Sequence, residues 1–402
     1  MPLSELVIFI LIKAALAVVI FALWMTMVPV MIWIERKVIA DIQARLGPNR
    51  VGPFGVIQPI ADAVKLIFKE DILPKSSDRV LYALAPAMLM VPAILAISVI
   101  PIGGTVTIGA RSFSLQILGA YKSPGLTVPE LDAGILLVLA FSSLGVYGVV
   151  LSGWASGSKY SMLGGMRSSA QMLSYELPLG VSLLGAIVLG GSLKLTDIVA
   201  AQREMGVWFI APQLTAFIVF FISGLSETNR APFDLPEAEQ ELIGGYHTEY
   251  SGFRFAMFFM AEYLSMVTIS ALAVTFFLGG WHVPFFDVVW LGPVWFAAKL
   301  MVLLYIFVWV RGTLPRVRYD QLMRIGWKAM LPIAVINVVF TAGIVTWVPK
   351  AGAVYLSAAG IGLAAVTFGV ISMVLRVKIG RSVDERLRRV LGRRAEGEAA
   401  GQ

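Results

Sequence analysis

Long apolar stretches constrain the fold of this chain more than any other feature. Nine of them are long enough for a helix to cross the hydrocarbon core of a bilayer, which takes about 20 residues. They cover residues 5–34, 80–101, 130–152, 169–190, 207–225, 252–279, 292–310, 330–348 and 352–375. With 58% hydrophobic and only 14% charged residues, the chain is predicted to be an all-α polytopic membrane protein with about nine transmembrane helices.

The distribution of Lys and Arg predicts how these helices are oriented. The connections at 35–79, 153–168, 226–254 and 311–329, together with the tail from 376, carry 25 of the 32 Lys and Arg residues, and the opposite side carries five. Because positive charges collect on the cytoplasmic side, we expect the N-terminus outside and the C-terminus in the cytoplasm. No small-residue cleavage site follows the first apolar stretch, which favours a retained first span.

The first cytoplasmic connection contains a surface amphipathic helix by its pattern. Within residues 54–70, Ile57, Ile60, Val64 and Ile67 share one face, and the opposite face is polar. A helix of this length with a charged face should lie along the membrane surface. Two roles fit equally well: an anchor on lipid headgroups, or one wall of an entry for a lipid-soluble ligand.

The residue types that are missing exclude several classes of site. The sequence has no Cys and only two His, so the chain cannot by itself hold an iron–sulfur cluster, a thiolate metal site or a disulfide. A haem held by two histidines inside the bilayer is not expected, and neither is any other metal site. There is also no nucleotide-binding motif. Any redox centre must therefore lie on a partner.

One connecting segment, residues 226–250, is strongly acidic although the chain carries a net charge of +7. Arg230 is its only Lys or Arg, and Pro236 can begin a helix that would place Glu237 and Glu241 one turn apart. Neighbouring carboxylates raise each other's proton affinity. The segment therefore either holds and passes protons at the membrane edge or is simply a solvated acidic loop. Its acidic residues are Glu227, Asp234, Glu237, Glu239, Glu241 and Glu249.

Glu176, Glu262 and Lys299 lie deep inside apolar stretches, where an unpaired charge is costly. Glu176 and Glu262 are carboxylates of this kind, and Lys299 lies at a depth similar to that of Glu262. We therefore predict a contact between Glu262 and Lys299, either as a salt bridge that fixes helix packing or as part of a proton path. By spacing alone, Glu35 and Arg36 are anchors that flank the first span.

Two long motifs resemble one family closely. ERKVIADIQARLGPNRVGPFGVIQPIADAVKLIFKE at 35–70 and SETNRAPFDLPEAEQELIGGYHTEYSG at 226–252 resemble the H subunit of bacterial NADH-quinone oxidoreductase, the respiratory complex I. The resemblance extends to GWASGSKYSMLGGMRSSAQMLSYELPLG at 153–180, AEYLSM at 261–266 and RGTLPRVRYDQLM at 311–323. These motifs cover the cytoplasmic connections over about the first 350 residues.

The resemblance implies a specific function and specific sites. Such a subunit forms, with partner subunits of the complex, a chamber for ubiquinone or menaquinone, while the iron–sulfur clusters and the flavin lie on those partners. The implied quinone-site residues are Glu35, Arg36, Arg45, Asp62, Ala63, Lys65 and Phe233. The implied proton-relay residues are Glu176, Glu227, Asp234, Glu237, Glu239, Glu241, Glu249 and Glu262. Arg230 and Lys299 are the expected structural ion-pair cations, and the surface helix becomes a chamber wall.

The predicted organisation has three parts: an eight-span membrane domain at 1–350, an additional span at 351–375 and a basic cytoplasmic tail at 376–402. The predicted protein is a multi-pass subunit of the bacterial inner membrane that is inactive alone because it carries no electron carrier. An anchor and coupling subunit of a membrane-bound hydrogenase-type complex is the alternative. A secondary transporter is a further alternative, although the inverted repeat typical of that class is absent from the sequence.

Overall fold

The computed structural model describes residues 3–124, 126–234, 244–283, 291–347 and 352–369. Within them, seven helices are long and apolar enough to cross a membrane, and Leu214–Glu227 and Ala353–Gly369 are shorter apolar helices. Each of these nine helices corresponds to one of the nine apolar stretches of the sequence. The prediction of an all-α polytopic membrane protein is confirmed.

The helices follow the chain in this order, with their bounds. They are α1 (Leu3–Ile42), α2 (Gln58–Phe68), α3 (Arg79–Ile97), α4 (Gly134–Ala155), α5 (Lys159–Gly190), α6 (Leu195–Met205), α7 (Leu214–Glu227), α8 (Gly252–Phe277), α9 (Gly292–Thr313), α10 (Tyr319–Ile325), α11 (Leu331–Trp347) and α12 (Ala353–Gly369). A π-helical turn, Gly326–Met330, joins α10 to α11. The basic tail lies outside the described residues.

A small antiparallel sheet between α3 and α4 is an element that no pattern in the sequence predicted. Its strands are β1 (Gly103–Ile108), β2 (Arg111–Leu115), β3 (Tyr121–Ser123) and β4 (Leu126–Val128), in that spatial order. β1 and β2 form a hairpin in which Val106 pairs with Phe113 and Ile108 with Arg111. The turn between them contains Gly109 with φ of +63°, a conformation that glycine adopts without strain.

Helix α8 lies at the centre of the bundle. In its most apolar window 78% of the residues are buried, against 6% for α1, and Phe276 and Phe277 at its end are fully buried. α1, α5, α7 and α9 contribute side chains to the same core. Glu262, near the middle of α8, is 7% exposed, so its carboxylate is enclosed by protein and must find its partners there.

The predicted amphipathic helix is present as α2, at one end of the bundle; the sheet lies at the other. A short 3₁₀ turn, Pro53–Gly55, precedes α2, and Ser251 accepts a hydrogen bond from the backbone N–H of Ile72 just beyond it (2.9 Å). Ile60 and Ile67 on its apolar face are 55% and 57% exposed. This face is therefore available to lipid, to a ligand or to a partner, and both predicted roles remain compatible with the structure.

Candidate functional site: a buried charge cluster

Four separate parts of the chain bring charged side chains together inside the α2 end of the bundle. Glu35 comes from α1, Arg230 from the turn that follows α7, Glu262 from α8 and Arg311 from the end of α9. Glu35, Arg230 and Glu262 are each only 6–7% exposed. Such burial of charge is costly unless the charges compensate each other. Among the described residues, two carboxylates and two guanidinium groups meet here, so these four charges offset one another.

Arg230 stands between the two carboxylates. Its Nη1 lies 3.5 Å from Glu35 Oε2, and its Nη2 lies 3.8 Å from Glu262 Oε2. The guanidinium also stacks over the ring of Tyr263, 4.1 Å from the ring centroid, where the aromatic face attracts a cation. A planar guanidinium can serve three neighbours in this way, whereas a single ammonium cannot.

Tyrosine hydroxyls are further partners of both carboxylates. Tyr263 donates to Glu35 Oε2 at 2.9 Å and Tyr246 donates to Glu262 Oε1 at 2.8 Å. Arg311 forms a salt bridge with the other oxygen of Glu35. Hydrogen bonds to an ionised carboxylate stabilise its charged form. Any change of charge at one carboxylate must therefore be felt at the other through Arg230.

Tyr246 reaches Glu262 because its turn packs directly against α5. A Cβ atom added to Gly164 would lie 2.6 Å from the Cα of Gly245, so only glycine permits this approach.

His247, next in the chain after Tyr246, lies among aromatic rings, and burial lowers its pKa although the nearby charge of Glu262 acts in the opposite direction. The imidazole is therefore biased towards its neutral form.

An open cavity of about 350 Å³ lies beside the cluster. Its lining includes Glu35, Arg36 and Arg45. Asp62 on α2 does not line the cavity, but it forms a 2.5 Å salt bridge with Arg36. Four of the seven predicted quinone-site residues are thus brought together. Glu35 is the residue that belongs to both the cavity wall and the buried cluster, so its interpretation as a simple flank anchor is wrong.

The other three predicted quinone-site residues lie elsewhere. Ala63 and Lys65 are exposed on α2, and neither lines the cavity. Phe233 is buried, and its ring packs against Tyr175 with centroids 5.9 Å apart. The structure therefore does not bring these three to the same surface as Glu35.

A second pair of carboxylates lies deeper in the bundle. Ser142 and Ser143, adjacent on α4, donate hydrogen bonds to Glu227 and Glu176 respectively. Glu227 also lines two small cavities, of about 50 and 20 Å³. The smaller cavity is lined by Glu262 as well. Three of the predicted relay residues thus follow one another, from Glu262 through Glu227 towards Glu176.

The predicted contact between Glu262 and Lys299 is wrong. The ammonium of Lys299 donates to the backbone carbonyls of Leu278, Gly280 and His282 at 2.6–2.9 Å. Leu278 lies 16 residues beyond Glu262, about 24 Å along a helix. The last carbonyls of a helix have no intrahelical partners and carry negative partial charge. Lys299 therefore satisfies the end of α8, while Glu262 pairs with Arg230.

The acidic segment is only partly within the described residues. Glu237, Glu239 and Glu241 lie outside them. Asp234 forms a 3.4 Å salt bridge with Arg316, and the backbone carbonyl of Glu249 accepts a hydrogen bond from Tyr82. These two predicted relay residues are not part of the buried cluster. Within the described part of the chain there is also no group of acidic or histidine side chains able to hold a metal ion.

Sequence reasoning missed Arg311 and the neutral side chains that bind the buried carboxylates. Tyr263 directly follows Glu262, and Arg311 directly follows an apolar stretch. Ser142 and Ser143 form a pair of hydroxyl groups near the middle of a mostly apolar helix. This pair was a signal in the sequence for a polar partner inside the bundle. Polar side chains inside a span need partners, and here their partners are the carboxylates.

Fold and site together define a class: a multi-pass membrane protein whose buried cluster of opposite charges adjoins an open cavity. A family model described as NADH dehydrogenase matches residues 14–342. The H subunit of NADH-quinone oxidoreductase numbered 1 in Geobacter metallireducens is 51% identical over 326 residues, which cover 81% of this chain and 94% of that protein. The H subunit of the same enzyme from Thermomicrobium roseum is 50% identical over 325 residues, covering 79% and 91%.

The chain belongs to the family of H subunits of NADH-quinone oxidoreductase. It is therefore a membrane subunit of an enzyme complex, complex I. The resemblance found in its motifs is confirmed over most of the chain.

Proposed function

We propose that this chain, with partner subunits of the complex, forms much of the chamber in which a quinone is reduced, and that it couples this reduction to proton translocation. The observation that carries the proposal is the double position of Glu35. This carboxylate lines the open cavity and also bonds to Arg230, Arg311 and Tyr263 inside the protein. A charge that changes in the cavity therefore acts directly on the buried cluster.

The chemistry of the substrate supplies such a change of charge. Reduction of a quinone to a quinol takes up two electrons and two protons, and the electrons come from an iron–sulfur cluster on a partner subunit, since this chain has no Cys. Until the protons arrive, the reduced quinone carries negative charge. Arg36 and Arg45 at the cavity wall favour that charge, and the paired carboxylates respond to it.

The buried carboxylates are the route by which the response spreads. The Arg230 guanidinium connects Glu35 to Glu262, and Glu262 shares a small cavity with Glu227. A polar cavity of about 10–15 Å³ or more holds one water, so the cavity of about 20 Å³ that Glu262 and Glu227 both line has room for water between these two carboxylates. Protons or charge displacement then pass towards Glu176, and from there to partner subunits.

The remaining parts of the assignment follow from topology. The excess of Lys and Arg on the α2 end supports a cavity on the cytoplasmic side of the bacterial inner membrane, with the flavin and the iron–sulfur clusters on hydrophilic partner subunits of that side. The apolar face of α2 forms a chamber wall, with Ala63 and Lys65 on its exposed surface. Residues 1–350 form the membrane domain, 351–375 an additional span and 376–402 a basic tail. The isolated chain is inactive.

Glu262→Gln tests this function because it removes one charge and keeps the shape of the side chain. We expect the variant complex to reduce quinone with coupled proton pumping much more slowly, while electron transfer from NADH to a soluble acceptor is unchanged. Both rates are measured on the same membranes, with proton pumping followed by a pH-sensitive dye. Unchanged coupled turnover in the variant would exclude the relay.

A further inference from the structure

The turn that carries Arg230 has a left-handed backbone at one residue. Asn229, just before Arg230, has φ of +49°, a conformation that glycine and asparagine adopt more readily than most residues. The Arg230 side chain must nevertheless meet two carboxylates at once. The position of the cluster therefore depends on whatever fixes this turn.

Gln171 on α5 fixes it. This side chain is fully buried, and its Nε2 lies 2.9 Å from the carbonyl oxygen of Ser226, 2.9 Å from that of Phe233 and 3.3 Å from Oδ1 of Asn229. All three atoms are acceptors, so the amide nitrogen and not its oxygen must face them. One amide thus holds the end of α7 and both sides of Arg230.

The neighbouring residue on α5 supports the same turn. The amide of Asn229 also contacts the sulfur of Met172 at 3.8 Å, so both ends of the Asn229 side chain are directed by α5. The turn also closes on itself: the backbone N–H of Phe233 donates to the carbonyl of Arg230 at 2.9 Å, and that of Arg230 reaches the carbonyl of Leu225 at 3.4 Å. The contacts from α5 add to these bonds and connect the turn to the helix bundle.

We propose that Gln171 is a positioning residue for the quinone reaction. It touches neither the cavity nor the carboxylates, and it acts by holding Arg230 and the main chain at Phe233 in register with Glu35 and Glu262. This inference rests on the function proposed above. A displacement of about 1 Å at a reacting centre can cost as much as a hundredfold in rate, so loss of the amide should lower kcat/KM for quinone by roughly tenfold.

Gln171→Met is the variant that tests this role, because it keeps the length of the side chain and removes the donor. The chain offers a matched control in Gln202→Met. Gln202 is also buried, and its amide also donates to backbone carbonyls, those of Thr275 at 2.9 Å and Ile198 at 3.4 Å. It lies at the sheet end of the bundle, away from the cluster. Its side-chain oxygen also accepts the backbone N–H of Phe209 at 3.1 Å, so the control variant loses buried hydrogen bonds of the same kind and, in addition, this one.

The measurement is kcat and KM for a short-chain quinone analogue in the assembled complex, normalised to NADH oxidation by a soluble acceptor. We expect Gln171→Met to lower kcat/KM per assembled complex and Gln202→Met to leave it at the wild-type value. If both variants match the wild type, or both fall equally, Gln171 has only a structural role. Should Gln171→Met fail to assemble, Gln171→Asn, which keeps a shorter amide, is compared with Gln202→Asn by the same criterion.

Arg230→Lys in the same series separates the two proposals. If Arg230→Lys assembles and keeps wild-type quinone kinetics, the function proposed for the cluster fails. If Arg230→Lys is impaired per assembled complex and Gln171→Met behaves like its control, only the inference about Gln171 fails.

Discussion

Replacing Arg230 by Lys is the sharpest perturbation of the charge cluster because it keeps the charge and removes the geometry. The guanidinium approaches Glu35 and Glu262 with two different nitrogens, at 3.5 and 3.8 Å, while its plane covers Tyr263. A lysine ammonium is a compact point charge. It can stay close to one carboxylate only, so the connection between the two is broken.

The structure indicates which carboxylate loses more. Glu35 keeps its salt bridge with Arg311 and its hydrogen bond from Tyr263, whereas Glu262 loses its contact with a guanidinium. Two unit charges about 4 Å apart attract by about 4 kcal/mol at an effective dielectric constant of about 20. Moving the cation to about 6 Å from Glu262 would cost about 1.5 kcal/mol of this attraction, which corresponds to roughly a tenfold change in an equilibrium or a rate. For Arg230→Met, which leaves an excess buried negative charge, the cost rises to about 3–5 kcal/mol.

The assay compares coupled quinone reductase activity with the amount of assembled complex in native membranes. We expect Arg230→Lys to assemble and to reduce quinone roughly tenfold more slowly than the wild type. Arg230→Met should assemble poorly, since its cost is a large part of a typical stability of about 5–15 kcal/mol. Wild-type activity in Arg230→Lys would refute the reasoning, because the bridging geometry would then have no function.

Three further outcomes follow from individual contacts. Tyr263→Phe keeps the ring under Arg230 and removes the hydroxyl donated to Glu35, so we expect slower quinone turnover with normal assembly, measured as above. Lys299→Met leaves three carbonyls at the end of α8 without their ammonium partner; we expect lower thermal stability and an unchanged quinone KM. Burial lowers the pKa of His247 below its ordinary value of 6.5, so the unfolded state binds the extra proton and stability falls as the pH drops below 6.5. Thermal denaturation across this range should show a smaller loss in His247→Gln.

The parts of the fold that depend on local pattern could be predicted from the sequence. The apolar stretches predicted the helices, and the spacing of Ile60, Val64 and Ile67 predicted α2, because both signals are contained within one segment. The sheet was not predicted, since strands as short as Tyr121–Ser123 and Leu126–Val128 leave little periodicity by which to recognise them.

The candidate site was predicted only in part because its geometry is not local. The position of Glu35 directly after the first apolar stretch predicted a flank anchor. Nothing near it in the sequence reveals that α7, α8 and α9 enclose it. The Lys299 prediction was wrong for a related reason, since similar depth in two helices does not bring two side chains together. The partners of Lys299 are backbone carbonyls, which no pattern of side chains reveals. The family resemblance directed attention to Glu35, Glu227 and Glu262, and the structure added the tyrosines and serines that bind them.

The central claim is that quinone binds in the cavity beside Glu35, next to the buried charge cluster. Photolabelling of active native membranes with a quinone analogue, followed by peptide mapping of this chain with and without competing quinone, tests it most directly. We expect competable labelling within residues 35–48, the segment that contains the cavity lining. Competable labelling confined to partner subunits of an active complex would contradict the claim.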